Sequence, residues 1–299
     1  MNANVRPTPL ILRGRTFDAG RPAVMAVINR TPDSFYAPAR QFAEASVEKS
    51  VRLALGDGAD IIDIGGVKAG YGEVVSTREE LRRVVGAVEW IRGEFPDVII
   101  SVDTWRAEVA RQVAGAGADV INDTWGGYEP RIRTIAAEHG LGLVCSHAGG
   151  LAPRTDPHRV SYGQTTTGVL DDVLKSLGRA ARDAADAGVP RTRILLDPTL
   201  DFGKNTRHGL TLLRHASRLT ELGYPVLMAL SRKDFVGETL GLDDPRERLE
   251  GTLAATAVAA WQGASVFRTH DVKATRRVVD MVASIRGDRP PDVSIRGLA

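Results

Sequence analysis

Asp103, Asn122, Asp197, Lys233 and Arg268 each stand at or near the end of a short apolar run. Gathered in one place, two carboxylates, an amide and two cations would neutralise one another. They would also offer alternating acceptors and donors to a flat, nitrogen-rich ligand. A carboxylate takes two parallel N–H bonds from an amidine-like ring edge as it takes an arginine fork. Asn122 can donate and accept on the same ring, and Lys233 can donate to a ring carbonyl or nitrogen. Buried carboxylates are costly unless paired, so the set also reads as a purely structural ion-pair network. That second reading weakens as more runs contribute to the set. Asn29, Arg268 and His270 make another group. Arg268 and His270 lie two apart, so on a strand they point the same way. With Asn29 as an oxygen ligand they suit a diphosphate and Mg²⁺, against the alternative that Arg268 pairs with Asp271 on the surface. Phe202 reads as an aromatic wall for the ring or as simple packing. His147 is as readily a packed residue as a functional one, and the lone cysteine, Cys145, reads as core filler. Gly203-Lys204 lacks the glycine spacing of a phosphate-binding loop.

The elements that must position these groups follow from the runs themselves. They are VMAVIN to Asn29, DIIDIG to Gly65, DVIISVD to Asp103, DVIND through Asn122, GLVCSH to His147, RILLD to Asp197, PVLMALSRK to Lys233 and SVFRTH to His270. Short apolar runs of this kind read as strands buried on both faces. Helical patterns fill the gaps, near 42–57, 76–92, 105–116, 130–138, 165–187, 208–222, 246–262 and 273–286. Eight strand–helix units predict a closed (β/α)8 TIM barrel, with polar groups at the carboxyl ends of its strands forming the site. Leu10–Thr16 and Ala23–Asn29 flank Asp18-Ala19-Gly20 and read as a hairpin leading into the first barrel strand. Residues 29–41 and 65–75 read as long loops at the mouth. Ser76 to Glu79 has capping-box spacing. Residues 1–299 read as one domain, with 1–23 as leader and hairpin and 287–299 as a loose tail.

Thirty-nine basic and 37 acidic residues nearly balance, and no basic run is dense enough for a nucleic-acid groove. Aromatic content of 5% argues against a base-stacking platform. One cysteine excludes an intramolecular disulfide. Neither a signal peptide nor a membrane-spanning stretch is visible, so a cytoplasmic protein is expected, with no nucleic-acid or membrane partner.

Seven stretches together resemble the dihydropteroate synthase family over nearly the whole chain. They are INRTPDSF at 28–35, DIIDIGG at 60–66, SVDTWRAEVA at 101–110, GADVIND at 117–123, LDPTLDFGK at 196–204, LSRKDFVG at 230–237 and RTHDV at 268–272. That family joins p-aminobenzoate to 6-hydroxymethyl-7,8-dihydropterin diphosphate. The resemblance implies that Asp103, Asn122, Asp197 and Lys233 hold a pterin, with Phe202 beside it. It implies that Asn29, Arg268 and His270 hold diphosphate and Mg²⁺, and that Lys233, Arg268 and His270 serve catalysis. It also implies a homodimer built on late helices, here the small-residue stretch 246–262 ending near Trp261.

The departures from the family pattern carry as much information. Its usual Glu-Ser-Thr-Arg-Pro-Gly after the second strand is Val67-Lys68-Ala69-Gly70-Tyr71-Gly72 here. The hydroxyls and the arginine of that loop are gone, and Lys68 is a displaced cation. In the first loop Arg30 and Tyr36-Ala37-Pro38-Ala39 replace the usual residues, while Asp33 and Phe35 stay. Thr199 and Asp201 replace two glycines, Ser146 a methionine, and Ala229 a glycine, and the first two with Ala229 are expected to crowd the pterin side. The expected function is a synthase-like pterin-binding protein with weak or no synthase activity. The alternatives are a working synthase in which Lys68 substitutes for the lost arginine, and an enzyme on another pterin-like or diphosphate substrate. A purely structural or partner-binding role is the remaining possibility.

Overall fold

A computed structural model describes residues 8–29, 37–68, 74–155, 160–163 and 167–297, with backbone alone at 29 and 37–46. Alternating apolar runs and helical patterns fold as the period dictates. β3 (Ala23–Asn29), β4 (Ile61–Gly65), β5 (Ile99–Asp103), β6 (Val120–Asp123), β7 (Gly142–Ser146), β8 (Ile194–Asp197), β9 (Leu227–Ala229) and β10 (Val266–Thr269) form one parallel sheet. Their order is β8-β7-β6-β5-β4-β3-β10-β9, and a parallel bridge between Leu196 and Val226 brings its two edges together. The result is a nearly closed eight-stranded barrel. Around it lie α1 (Ala37–Gly56), α2 (Thr77–Glu94), α3 (Ala107–Ala116), α4 (Arg131–Glu138), α5 (Gly168–Asp186), α6 (Thr206–Arg214), α7 (Ser217–Thr220), α8 (Asp234–Leu240), α9 (Leu249–Trp261) and α10 (Val272–Ile285).

Side-chain alternation along each strand decides what the barrel encloses. Ile62, Ile100, Ile121, Leu143, Leu196, Met228 and Phe267 face outward into the main core beneath the helices. Met25, Ile61, Ile99, Val120, Val144, Leu195, Leu227 and Val266 face inward. The floor of the interior is closed by Leu10, Leu12 and Phe17. These belong to a separate antiparallel pair, β1 (Leu10–Leu12) and β2 (Arg15–Phe17).

That pair corrects the expected hairpin. Its turn is Arg13-Gly14, both at positive φ (47° and 72°), as a two-residue hairpin turn requires. Asp18 instead bends the connection to β3, its carboxylate accepting the Gly20 and Arg21 N–H groups. The first long loop is shorter than expected, because α1 begins at Ala37 and tolerates Pro38 in its first turn. Residues 30–36, with Arg30, Asp33 and Phe35, lie outside the described residues, as do 69–73 of the second loop. The stretch expected as one helix at 208–222 is two, α6 and α7. α8 was not expected at all: Gly237 inside a seven-residue helix masks its pattern. The expected capping box at Ser76 is half formed. Ser76 Oγ accepts the Glu79 N–H at 3.2 Å, but the Glu79 carboxylate turns to Arg82 and Arg83.

Candidate functional site

Two residues beyond most of the inward-facing apolar residues, the same alternation turns a polar group into the barrel. Asp63 follows Ile61, Ser101 and Asp103 follow Ile99, Asn122 follows Val120, Asp197 follows Leu195 and Arg268 follows Val266. The carboxyl ends of the strands therefore share one polar mouth, with hydrophobic layers and the hairpin beneath it.

Asp63 is the hub of this mouth, and the run-end reading of the sequence passes over it because it lies inside its run. It is 0% exposed. Its carboxylate accepts from Arg268 Nε at 2.6 Å, Ser101 Oγ at 2.6 Å and Asn122 Nδ2 at 3.2 Å. The visible signal was its inward register with Ile61 in DIIDIG. Arg268 Nη2 also donates to Asp103 at 3.1 Å. The expected alternative partner of Arg268 is engaged elsewhere, since Asp271 accepts a two-pronged fork from Arg232. Asp103 also accepts from Thr124 Oγ1 at 2.7 Å, and its side chain keeps 11% exposure to the mouth. Burial pushes its carboxyl up to about 7, against the lowering pull of Arg268.

Asp197 is buried, and burial raises its pKa while Lys233 opposes the rise. One of its oxygens accepts the Thr199 N–H at 2.7 Å, which leaves the other for the mouth. Lys233 is not at a strand end, as the run PVLMALSRK suggested. β9 stops at Ala229, Arg232 takes a left-handed φ of 56°, and Lys233 caps α8. Its ammonium donates to the Leu200 carbonyl and lies 5.2 Å above the Phe202 ring, a cation–π contact. Burial lowers its pKa, with Asp201 and Asp197 pulling the other way. Phe202 is half-buried and meets Trp125 edge-on at 5.3 Å.

His270 is exposed, one residue past β10, and its Nδ1 lies 3.0 Å from Ser231 Oγ. Asn29 ends β3 in register with Gly65, while its side chain lies outside the described residues. His147 is a packed residue. Its Nε2 meets Asp172 at 2.7 Å, and burial pulls its pKa down to about 4, so it is neutral. Cys145 is buried in the core, its thiol pushed up to about 12, as its reading as core filler expects.

The replaced glycines keep glycine backbone. Thr199 and Asp201 sit at φ 48° and 70°, where a β-branched threonine is strained. Their side chains do not simply line the pterin side. Thr199 Oγ1 donates to the Asp197 carbonyl and accepts the His147 N–H, and Asp201 accepts the Asp234 N–H. Of the three residues expected to crowd that side, Ala229 alone belongs to the inward-facing cluster.

The second loop departs from the family pattern in a physically explicit way. Val67 is buried against Trp105, Trp125 and Ala148, with Val75, Leu151 and Phe202 packed around them. Where the family pattern has a glutamate, this chain has a residue of an apolar cluster above the mouth. Both stems of the loop are held by arginines. Arg83 donates to the Gly66 carbonyl at 2.8 Å and Arg106 to the Val75 carbonyl at 2.7 Å. Arg106 also pairs with Glu80, which is fully buried and accepts from Thr104. Lys68 is exposed.

Comparison with known proteins gives the family and agrees with the fold. The pattern of the pterin-binding enzymes matches residues 25–270. An inactive dihydropteroate synthase 2 from Mycobacterium tuberculosis strain H37Rv is 58% identical, over 96% of this chain and 90% of that relative. The dihydropteroate synthase of Escherichia coli K12 is 37% identical, over 94% of this chain and 98% of that enzyme. A solved structure of the Yersinia pestis dihydropteroate synthase with a sulfonamide drug superposes with a TM-score of 0.83 at 36% identity, over 93% of this chain and 99% of that one.

Proposed function

We propose a function from one premise: the chain belongs to the pterin-binding enzyme family, as a diverged relative of dihydropteroate synthase. It binds a pterin at the barrel mouth and has weak or no synthase activity. The observation that carries this reading is an asymmetry. The polar pterin set, Asp103, Asn122, Asp197 and Lys233, is gathered at one mouth, while the second-substrate loop begins with Val67 locked into an apolar cluster. The relatives named inactive support the same conclusion. In this reading Asp103 and Asp197 accept N–H groups of the ring, Asn122 and Lys233 supply donors, and Phe202 walls the ring face. Solved dihydropteroate synthases carrying pterin-like ligands support the ligand class.

Arg268, His270 and Asn29 are assigned to diphosphate, and Mg²⁺ to the same end. Among the described residues no group of three or more His, Cys, Asp or Glu side chains could hold a metal. The ion would rely on the amide of Asn29, at the strand end beside Gly65, and on diphosphate oxygens. Bound there, it would neutralise charge on a departing pyrophosphate. Arg268 would share that task, and His270 would donate a hydrogen bond at the mouth. A second reading, a working synthase, is favoured by the exposed Lys68 at the stem of the second loop. No helix among the described residues is long and apolar enough to cross a membrane; a cytoplasmic location is a separate part of the proposal.

Calorimetric titration with 6-hydroxymethyl-7,8-dihydropterin tests the ligand. Saturable binding is expected, and heat indistinguishable from dilution overturns the reading. The pH dependence has a definite sign. With the Asp103 carboxyl near 7, the acceptor form is present above that pH and lost below it. Affinity should fall by about tenfold per unit as the pH drops below about 7. A flat profile between pH 5 and 7 removes Asp103 from the ligand contacts.

Homodimerisation is a further part of the proposal. Trp261 and Val258 on α9 and Met281 and Ile285 on α10 are exposed, Trp261 by 57% and Met281 by 60%. The two helices pack side by side, and large apolar residues in a contiguous exposed patch mark an interface. Trp261→Glu is expected to cost roughly 2 kcal/mol or more of association. Light scattering at micromolar concentration should give a dimer for the parent chain and a monomer for the variant. A monomeric parent contradicts the assignment.

A further inference from the structure

Lys204 lies behind the pterin wall, and the ligand reading gives it no role. It is 2% exposed. Its ammonium donates to the carbonyls of His147 at 2.6 Å, Phe202 at 2.8 Å and Thr199 at 3.1 Å. A lysine ammonium has three N–H donors and no acceptor, and these three carbonyls use all of them. They belong to two neighbouring segments, one following β7 and one following β8. The β8 segment takes an unusual course, with Thr199, Asp201 and Gly203 all at left-handed φ between 48° and 70°. Such a course turns these carbonyls toward the ammonium, where the Thr199 carbonyl also accepts the Phe202 N–H at 3.3 Å, and buried unpaired carbonyls are costly. What the segment carries is the ligand wall. Phe202 meets Trp125 and lies beneath Lys233, and Thr199 N–H orients the Asp197 carboxylate.

We infer that Lys204 is the positioning residue of this wall. Its ammonium ties the β8 segment to His147 and so fixes Phe202 and Asp197 for the ligand without touching it. The inference rests on the pterin-binding reading for its ligand but not for its geometry. Asp197 and Asp201 face Lys204 from its own segment, Lys233 from the start of α8, Asp172 from α5, His208 from α6 and His147 from the end of β7. Burial brings Lys204 down to about 7. Below that pH it supplies three donors. Above it, the amine has two, and one of the three carbonyls loses its bond to the lysine. Global stability carries the opposite sign. A lysine whose pKa is depressed by burial penalises the fold when protonated, so its own contribution rises above pH 7, whereas Asp103 and Asp123, both raised to about 7, weaken the fold as the pH climbs to that value. A merely structural lysine would therefore show no alkaline loss of site geometry.

The test uses the full chain between pH 6 and 9. Trp125 emission, taken as the difference from a Trp125→Phe chain, should titrate near pH 7. Asp123, which accepts the Trp125 N–H and is itself raised to about 7, contributes to that step, so the part due to Lys204 is the part missing from Lys204→Arg. Denaturation midpoints between about pH 7.5 and 9 should stay level or rise. Pterin affinity should be bell-shaped, with an acid limb from Asp103 and an alkaline limb from Lys204. Lys204→Met should lose the alkaline limb and bind about tenfold more weakly at the optimum, a free-energy difference of about 1.4 kcal/mol. Lys204→Arg, which keeps its charge, should lose the alkaline limb with affinity within about threefold of the parent. A Trp125 titration identical in the parent and Lys204→Arg, or a parent-like affinity profile in Lys204→Met, overturns the inference. If Lys204→Met does not fold, the comparison of the Trp125 titration in the parent and Lys204→Arg decides. If no pterin binds at any pH, the ligand reading fails, and the same comparison still decides the role of Lys204.

Discussion

Asp63→Ala is expected to destabilise the protein by about 3–5 kcal/mol, the cost of removing one partner from a buried ion pair. Asp63 is wholly buried and accepts from Arg268, Ser101 and Asn122 at once. Its loss leaves three donors facing a small cavity and Arg268 with Asp103 as its remaining carboxylate partner. Urea denaturation should show a lower midpoint at unchanged slope. Asp63→Asn keeps the shape but not the charge and should fall between the parent and Asp63→Ala. An Asp63→Ala chain within 1 kcal/mol of the parent would mean that the mouth rearranges freely, and the site geometry would lose its foundation.

Asp197→Ala should act on ligand rather than fold. With one oxygen held by the Thr199 N–H, the other is the acceptor left for a ring edge. Hydrogen bonds to a charged group are worth roughly 1.5–3 kcal/mol each. Removing the acceptor should weaken pterin binding by about 1.5–3 kcal/mol, or roughly 10- to 150-fold. Lys233 would also lose one of the three carboxylates that favour its charge. Asp197→Asn should retain more affinity. Calorimetry giving Asp197→Ala parent-like affinity would remove Asp197 from the pterin contacts.

The barrel was legible because its eight apolar runs are short and several of its helices, such as α5, α6 and α10, are amphipathic, a contrast of period that tertiary packing seldom overrides. The mouth was legible only where a polar residue closes a run, as at Asp103 and Asp197. Asp63 lies inside its run, and finding it requires counting alternate residues from Ile61. Lys233 was placed at a strand end because its run continues past Ala229, but the left-handed Arg232 turns the chain into α8. Pairing across distance left no local signal. Glu80 and Arg106 hold the second loop from 26 residues apart, and Lys204 bonds a carbonyl 57 residues away. The left-handed backbone at Thr199 and Asp201 follows from glycines in the family pattern, yet the turning of their side chains onto backbone groups does not.

Turnover of 6-hydroxymethyl-7,8-dihydropterin diphosphate with p-aminobenzoate by the purified chain, with Mg²⁺ present, tests the central claim most directly. Transition-state stabilisation made only by the lost loop groups disappears with them, at about tenfold in rate per 1.4 kcal/mol. The account predicts a saturable pterin site and dihydropteroate formation at or near the uncatalysed rate. Product formation at the rate of a working synthase under the same conditions would contradict it and establish the chain as a synthase.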